Sequence, residues 1–105
     1  MNVAVAWIDE HEAKLFLFSE HQMARRRLNG ADESRFDEIS EEMKGFKKIL
    51  VLGPDEPRNR FCAWLKKTHP DQAQRIIASE LLLDPTDAQI ADRLRHYFKK
   101  PLTSA

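Results

Sequence analysis

Two short, continuously apolar segments constrain the fold of this chain more than any other feature. They are residues 3–8, Val-Ala-Val-Ala-Trp-Ile, and residues 49–52, Ile-Leu-Val-Leu, which follow Lys48 in a predicted strand over residues 48–52. A strand with one face in water alternates between apolar and polar residues, whereas a strand covered on both faces is apolar throughout. Both segments are therefore predicted to be central strands of a sheet with helices on its two sides.

Polar turns divide the N-terminal part of the chain into three short strands that are predicted to form an antiparallel meander. The second strand covers residues 13–18 and the third covers residues 22–28. Arg25, Arg26 and Arg27 lie in the third strand, and adjacent charges of this kind are costly anywhere except at the edge of a sheet. The third strand is therefore predicted to be an edge strand.

The segments on either side of the second apolar run have the spacing of helices. Asp32 or Ser34 can cap a first helix, whose apolar residues recur three and four positions apart. Gly53 and Pro54 end the apolar strand and precede a second helix at about residues 57–69.

The last helix is the element whose start the sequence specifies most completely. Asp84 is predicted to cap it, Pro85 suits the first helical position, and Asp87 lies where a carboxylate reaches the amide of the cap. Its apolar stripe consists of Ile90, Ala91, Leu94, Tyr97 and Phe98. The spacing predicts a helix over residues 85–98.

The order of the elements predicts the topology of the sheet. With a fifth strand at residues 75–80, three antiparallel strands are followed by helix, strand, helix, strand and helix. Right-handed crossovers place the fourth and fifth strands parallel to the first. The predicted fold is a three-layer, ribonuclease-H-like α/β domain with three helices and a mixed five-stranded sheet in the spatial order 3-2-1-4-5. Its length of 105 residues predicts one domain, residues 1–105.

The composition excludes several classes of protein. Seventeen basic and seventeen acidic residues balance, so no global positive field drives binding to nucleic acid or lipid. The single cysteine, Cys62, excludes an internal disulfide and a cysteine-based zinc site. No apolar run approaches the roughly 20 residues that span a bilayer, and the N-terminus lacks the layout of a signal peptide. We expect a cytoplasmic protein without a membrane partner.

Short strings of residues resemble a family of small bacterial proteins that are grouped with components of the translational machinery. They are Ala6-Trp7-Ile8-Asp9, Glu12-Ala13-Lys14, residues 49–54 with Gly53-Pro54, Asp84-Pro85-Thr86-Asp87 and Arg95-His96-Tyr97-Phe98. That family is similar to the central domain of eukaryotic and archaeal peptide-chain release factors and of the related ribosome-rescue factors. The resemblance implies a non-enzymatic interaction module whose expected partner is the ribosome or RNA.

The sequence departs from these factors at points that bear on catalysis. The chain has no Gly-Gly-Gln, the tripeptide with which release factors reach the peptidyl-transferase centre, so direct peptide release is not expected. Where members of the family carry histidines, this chain has Glu10, Asp84 and the arginine run. We therefore predict no metal ion and no other cofactor.

The three consecutive arginines are the candidate contact surface for RNA or the ribosome. Further basic residues would join Arg25, Arg26 and Arg27 if the fold brings them close, namely Arg58, Arg60, Lys66 and Lys67. The alternative interpretation is that the arginines only protect an edge strand against aggregation.

Carboxylates at the ends of the parallel strands support an enzymatic alternative. Ligands of such sheets favour the carboxyl ends of the strands, where Asp9, Asp55 and Glu80 are expected, with Asp84 and Asp87 nearby. Such a cluster would hold Mg²⁺ or Mn²⁺ and act as a nuclease or phosphoesterase, with Asp9, Asp55 and Asp87 as catalytic residues. Each of these acids also has a local capping or turn role, so this interpretation ranks second.

A third interpretation is a homodimeric regulatory protein without a nucleic-acid partner. The third strand would pair with its copy across a two-fold axis. The arginines of one subunit would then meet the acidic face of the first helix of the other, which consists of Asp32, Glu33, Asp37, Glu38, Glu41 and Glu42.

The remaining candidate residues have structural interpretations. The aromatic residues predicted to lie in the core are Trp7, Phe61, Trp64, Tyr97 and Phe98. Cys62 is expected to be a buried or half-buried thiol without catalytic partners. The histidines lack the i, i+4 spacing of helical metal pairs, so no zinc site is predicted at His11, His21, His69 or His96.

Overall fold

A computed structural model describes residues 2–20, 22–30 and 32–103, with side chains as far as residue 97. The elements follow one another as β1 (Val3–Ile8), β2 (Glu12–Phe18), β3 (Met23–Asn29), α1 (Glu33–Glu42), β4 (Lys48–Gly53), α2 (Asp55–Thr68), α3 (Pro70–Ala73), β5 (Ile76–Leu81) and α4 (Asp87–Thr103).

The five strands form one mixed sheet in the order β3-β2-β1-β4-β5. β2 runs antiparallel to β1 and to β3, whereas β4 runs parallel to β1 and to β5. Val5, at the centre of β1, lies opposite Phe16 of β2 and Leu50 of β4. The predicted strand order, strand directions and α/β class are confirmed. The short hairpins force the antiparallel pairs, and the helical crossovers allow the parallel ones.

Helices cover both faces of the sheet and make two separate cores. Side chains of β1 alternate between the faces, with Ala4, Ala6 and Ile8 on one side and Val3, Val5 and Trp7 on the other. The first set packs against α1 and α2 through Phe36, Ile39, Phe61 and Leu65. The second packs against α4 through Ile90 and Leu94. The predicted burial of β1 on both faces is confirmed, since each of its residues is buried.

The start of α4 differs from the prediction. Asp84 does not cap the helix, because its backbone has a left-handed φ of 44° and the helix begins only at Asp87. The cap is Thr86, whose hydroxyl accepts a hydrogen bond from the Gln89 amide at 3.2 Å. The Gln89 side chain accepts one in return from the Thr86 amide at 2.8 Å. Thr86 and Gln89 therefore form a capping box, a role that was predicted from the sequence for Asp84 and Asp87.

The structure also has one helix more than predicted. Pro70 ends α2 as expected, but it also begins the four-residue helix α3, since proline suits a first helical position. Gln72 of α3 is buried against α1, where its amide nitrogen donates to the Ser40 carbonyl at 3.0 Å. The Ser40 hydroxyl donates in turn to the Gln72 side-chain oxygen, so the pair satisfies its own polar groups.

The start of α1 matches one of the two predicted caps. Asp32 is the N-cap residue, although its side chain makes no hydrogen bond to a helix amide. It accepts a hydrogen bond from the Ser34 hydroxyl at 2.6 Å instead. This hydrogen bond is the main cause that holds the pKa of Asp32 below its usual value, and the nearby Arg35 charge acts in the same direction.

Candidate functional site

The three consecutive arginines lie on β3, at one edge of the sheet, as predicted. We call Arg25, Arg26 and Arg27 the arginine edge. Arg25 is opposite Phe16, which belongs to the core under α4, and Arg26 is opposite Leu15, which belongs to the core under α1 and α2. The arginine edge therefore presents charge to both faces of the sheet, with Arg25 and Arg27 on the α4 side.

Each residue of the arginine edge has a carboxylate partner. Arg25 pairs with Asp87 in the first turn of α4. Arg26 Nε lies 3.3 Å from Glu42 Oε1, and Arg27 Nε lies 2.6 Å from Glu12 Oε1.

The side chains of the arginine edge remain 60%, 58% and 69% exposed in spite of these pairs. Exposed ion pairs contribute about 0–1 kcal/mol and are weakened further by salt. A phosphate group can therefore replace the carboxylate partners at small cost.

Two adjoining crevices lie beside the arginine edge on the α4 side. The basic one, of about 330 Å³, is lined by residues 14–16 of β2, by the arginine edge and by Asp87, although the side chain of Arg26 lies on the opposite face of the sheet. The Lys14 ammonium lies 5.2 Å above the centre of the Trp7 ring. The apolar crevice, of about 280 Å³, is lined mainly by Phe16, Phe18, Met23 and Ile90. Arg25 and Asp87 line both crevices.

Lys14 is a member of this surface that was not predicted from the sequence. It occupies an ordinary position in β2, and only the pairing of Lys14 with Arg27 across the two strands brings the charges together. The sequence did contain a sign of this contact. Residues directly opposite each other on neighbouring strands have side chains on the same face of the sheet, so a lysine of β2 is expected to lie beside a charged residue of the edge strand.

The structure does not bring Arg58 and Arg60 to the arginine edge. Both lie on α2, which packs against β1 and β4, whereas β3 is the far strand of the sheet. Arg60 is exposed and pairs with Glu56. Lys66 and Lys67 are also exposed on α2, away from β3.

Arg58 is a buried residue with three hydrogen-bond partners. Only 8% of the residue is exposed. Its Nε donates to the Gly53 carbonyl at 3.1 Å, while Nη1 donates to Ser79 Oγ and Nη2 to Asp55 Oδ1, each at 2.6 Å. Arg58 therefore joins the end of β4, the edge strand β5 and the start of α2.

Gly53 and Pro54 stand at the turn from β4 into α2. Gly53 has a φ of 139°, and a Cβ atom placed on it would lie 2.1 Å from the Ile8 carbonyl oxygen. Only glycine allows β4 to pass so close to the end of β1. Pro54 precedes α2, which begins at Asp55, two residues before the predicted start.

The carboxylates of the enzymatic interpretation have separate local roles. Asp9 accepts hydrogen bonds from the amides of His11 and Glu12, each at 2.7 Å. Asp55 pairs with Arg58, and Asp87 pairs with Arg25 near the opposite edge of the sheet. Among residues 2–20, 22–30 and 32–103, no three histidine, cysteine or acidic side chains are placed to hold a metal ion.

Glu80, the other acid expected at this end of the sheet, faces α4. It accepts a hydrogen bond from the Tyr97 hydroxyl, and its Oε1 lies 3.1 Å from Arg93 Nη1. These contacts tie β5 to the last helix. Asp84 lies in the loop before α4 and is exposed.

The aromatic residues and Cys62 have the structural roles that were predicted for them, as far as their side chains are described. Trp7 and Phe61 are buried, and Trp64 and Tyr97 are half-buried against the two cores. Cys62 is half-buried, with its sulfur 3.8 Å from Ser79 Oγ. The side chain of Phe98 lies outside the described part.

The histidines with described placement, His11, His69 and His96, are exposed, and His21 lies outside the described residues. Within the described part of the chain, no helix is both long and apolar enough to cross a membrane.

The fold of this chain is present in solved structures of archaeal proteins. Archaeoglobus fulgidus Pelota aligns with 90% of this chain at a TM-score of 0.74 and 17% sequence identity. Thermoplasma acidophilum Pelota aligns with 86% at 0.64 and 20% identity. The archaeal translation termination factor aRF1 aligns with 97% at 0.50 and 14% identity. These likenesses confirm the expected resemblance to release and rescue factors at the level of the fold.

The aligned region is a part of each of these proteins. This chain covers 31% and 30% of the two Pelota chains and 41% of aRF1. No protein-family model matches the sequence, and no curated protein matches it.

Proposed function

We propose that this chain is a non-enzymatic interaction module related to translation factors, and that it binds the ribosome or RNA in the cytoplasm through the arginine edge. The observation that carries the proposal is the basic crevice, in which Lys14 lies with the exposed Arg25 and Arg27, while Arg26 presents its charge on the other face of the same strand. The fold also supports a relation to translation factors, because it is shared with a protein named as a translation termination factor.

The chemistry of the arginine edge suits a phosphate backbone. Guanidinium groups bind phosphate oxygens through two parallel hydrogen bonds, and the exposed arginines can turn toward such a ligand. Asp87 and Glu12 reduce the local positive charge, so we expect moderate affinity that falls steeply with salt.

The test is sedimentation of the tagged protein through a sucrose gradient from a gentle lysate, with and without a Mg²⁺ chelator. The wild type is expected to move with ribosomal particles at low and moderate salt. The R25Q/R26Q/R27Q variant is expected to remain at the top, because it has lost its phosphate contacts. With purified protein and single-stranded RNA, the slope of log K against log salt concentration should be shallower for the variant than for the wild type, by about 0.7 per lost phosphate contact.

A matched control removes the same charge from α2. R60Q/K66Q/K67Q lacks three exposed basic side chains that lie away from the arginine edge. It is expected to sediment like the wild type. If the α2 variant alone loses binding, or if the wild type never leaves the top of the gradient, the proposal is wrong.

A further inference from the structure

The β2–β3 hairpin changes from apolar to basic along the face that it presents on the α4 side of the sheet. Three cross-strand pairs share this face, namely Phe18 with Met23, Phe16 with Arg25, and Lys14 with Arg27. Successive pairs on one face are two residues apart, which is about 7 Å along a strand. An apolar row and two rows with cations therefore lie side by side within a short distance.

The apolar crevice lies at the apolar end of this face, between the hairpin and the first turns of α4. On the hairpin side, Phe18 is half-buried and Met23 is 47% exposed. On the helix side, the crevice is lined by Ala88 and Ala91 together with Ile90. Because alanine side chains are short, α4 leaves this apolar surface open to a ligand.

Arg25 connects the apolar crevice to the basic crevice. It lines both of them, and its side chain is exposed even though it pairs with Asp87. A ligand that fills both crevices must therefore carry an apolar group close to an anionic group. A nucleotide has this chemistry, since its flat base and its phosphate are joined through one sugar.

We propose that the two crevices bind one nucleotide of a single-stranded RNA, with its base in the apolar crevice and its phosphate against Arg25 and Lys14. This inference rests on the proposed function, because it names the form of RNA that the arginine edge binds. In a single strand, a base can leave the stack and lie against an aromatic side chain such as Phe18. In a duplex the bases are paired and stacked, so the apolar crevice would stay empty.

The charge of this face suits a single phosphodiester. Lys14, Arg25 and Arg27 carry three positive charges, and two carboxylates accompany them, Asp87 and Glu12. One positive charge is therefore in excess, and one phosphodiester neutralises it. Arginine suits this position further, because its planar guanidinium both binds phosphate and stacks on aromatic rings.

A second copy of this chain suits the same edge less well. Antiparallel self-pairing of β3 centred on Arg25, Arg26 or Arg27 sets that arginine against its own copy. Like charges directly opposite each other are destabilising. The predicted dimer through the third strand is therefore disfavoured.

The test is fluorescence anisotropy of the purified full chain with three labelled probes of about ten nucleotides. They are a single-stranded RNA of mixed sequence, a duplex of that RNA, and a ribose-phosphate oligomer of the same length without bases. The wild type is expected to bind the single-stranded RNA at least about fivefold more tightly than the oligomer without bases, because stacking of one base contributes about this much.

Ala88→Leu fills the apolar crevice without a change of charge. This variant is expected to bind the single-stranded RNA at least about fivefold more weakly than the wild type and to bind the other two probes unchanged. Ala63→Leu is the matched control, because it makes the same substitution at an exposed position of α2, away from β3. Alanine and leucine are both strong helix formers, and circular dichroism checks that both variants are folded.

Photochemical cross-linking locates the base independently of these variants. A single-stranded RNA that contains 4-thiouridine is irradiated together with the wild type, and mass spectrometry identifies the linked residue. The link is expected on the β2–β3 hairpin between residues 16 and 25 or on α4 between residues 88 and 91. Links found only elsewhere in the chain would overturn the inference.

The outcomes distinguish this inference from the proposed function. If R25Q/R26Q/R27Q binds all three probes as tightly as the wild type, the arginine edge does not bind RNA and both are wrong. If that variant loses binding but the wild type does not distinguish the single strand from the oligomer without bases, only this inference is wrong. The same holds if Ala88→Leu binds like the wild type or if Ala63→Leu loses as much affinity.

A protein segment is the other occupant that the test can reveal. A photoreactive amino acid at position 23 is carried into the ribosomal fractions of the sucrose gradient and irradiated there. Links to RNA are expected, since Met23 lines the apolar crevice. Links to protein alone would show that the crevice binds a protein segment, and the inference would be wrong.

Discussion

The two edges of the sheet use the same residue type in opposite ways. On β3, Arg25, Arg26 and Arg27 are mostly exposed and pair with carboxylates at the surface. On the β5 side, Arg58 is buried and joins Gly53, Ser79 and Asp55 by hydrogen bonds. The first group can exchange its partners for a ligand, whereas the second holds an edge strand in place.

The difference shows that burial, not residue type, decides whether an arginine of this protein is free to exchange its partners or stabilises the fold. An exposed pair contributes little, because water and salt compete with it. A buried guanidinium whose partners are removed leaves polar groups without hydrogen bonds, which is costly. The β3 edge is therefore expected to tolerate substitutions that the β5 side does not.

The largest effect is expected from Gly53→Ala. Gly53 is the last residue of β4, next to β5. The added Cβ would clash with the Ile8 carbonyl, and a φ of 139° is strained for alanine. We expect a loss of at least about 3 kcal/mol in the free energy of unfolding. Chemical denaturation measures the loss, and hydrogen exchange should show β5 losing protection before β2 and β3.

Gly45→Ala is the control for this prediction. A Cβ at Gly45 would have no atom within 4 Å, and its φ is not in the left-handed region. The variant is expected to unfold within about 0.5 kcal/mol of the wild type. Equal losses at the two glycines would contradict the close approach of β4 and β1.

The comparison between the edges is tested most directly by the same substitution on both. Arg58→Met keeps an apolar stem but removes three hydrogen bonds, of which only the one to Gly53 leaves a buried partner, so we expect a loss of about 2 kcal/mol in unfolding free energy. Arg26→Met removes an exposed pair and is expected to cost less than about 1 kcal/mol. Thermal or denaturant unfolding measures the stability of both variants. Similar losses of unfolding free energy would contradict the difference between the buried and the exposed arginine.

The smallest effect concerns the cap of α4, whose first turn adjoins the arginine edge. Thr86→Ala removes the capping hydroxyl and should lower the unfolding free energy by about 1 kcal/mol. Asp84→Gly should be near neutral, since glycine relieves the left-handed backbone at that position. If Asp84 were the cap, as its position before Pro85 suggested, Asp84→Gly would leave the helix amides short of a partner and Thr86→Ala would be mild.

Much of the architecture could be predicted from the sequence. The apolar segments at Val3–Ile8 and residues 49–53 are buried on both faces, as their composition requires. Arg25, Arg26 and Arg27 lie on an edge strand, because their charges have no place in the interior. Short turns and right-handed crossovers then exclude all but one spatial order of the five strands in the sheet.

Details of the site were less accessible to prediction. The sequence placed Arg58 with the exposed basic residues, and nothing in its neighbours shows that it reaches Ser79 on another strand. The positions of three acids in the sequence are compatible with a shared site, namely Asp9, Asp55 and Asp87. In the structure, however, Asp87 pairs with Arg25 of β3, at the other edge of the sheet. Such contacts join residues far apart in the chain, so local spacing does not reveal them.

The sequence by itself determined the five strands, the three longer helices, their order and the faces that they bury, because these follow from local spacing and from the cost of exposing apolar surface. The tertiary structure alone decided which arginines are buried, that Thr86 caps α4, and that Lys14 joins the arginine edge. It also decided that Ile77 and Leu81 of β5 stay exposed. Each of these depends on distances between segments that only packing sets.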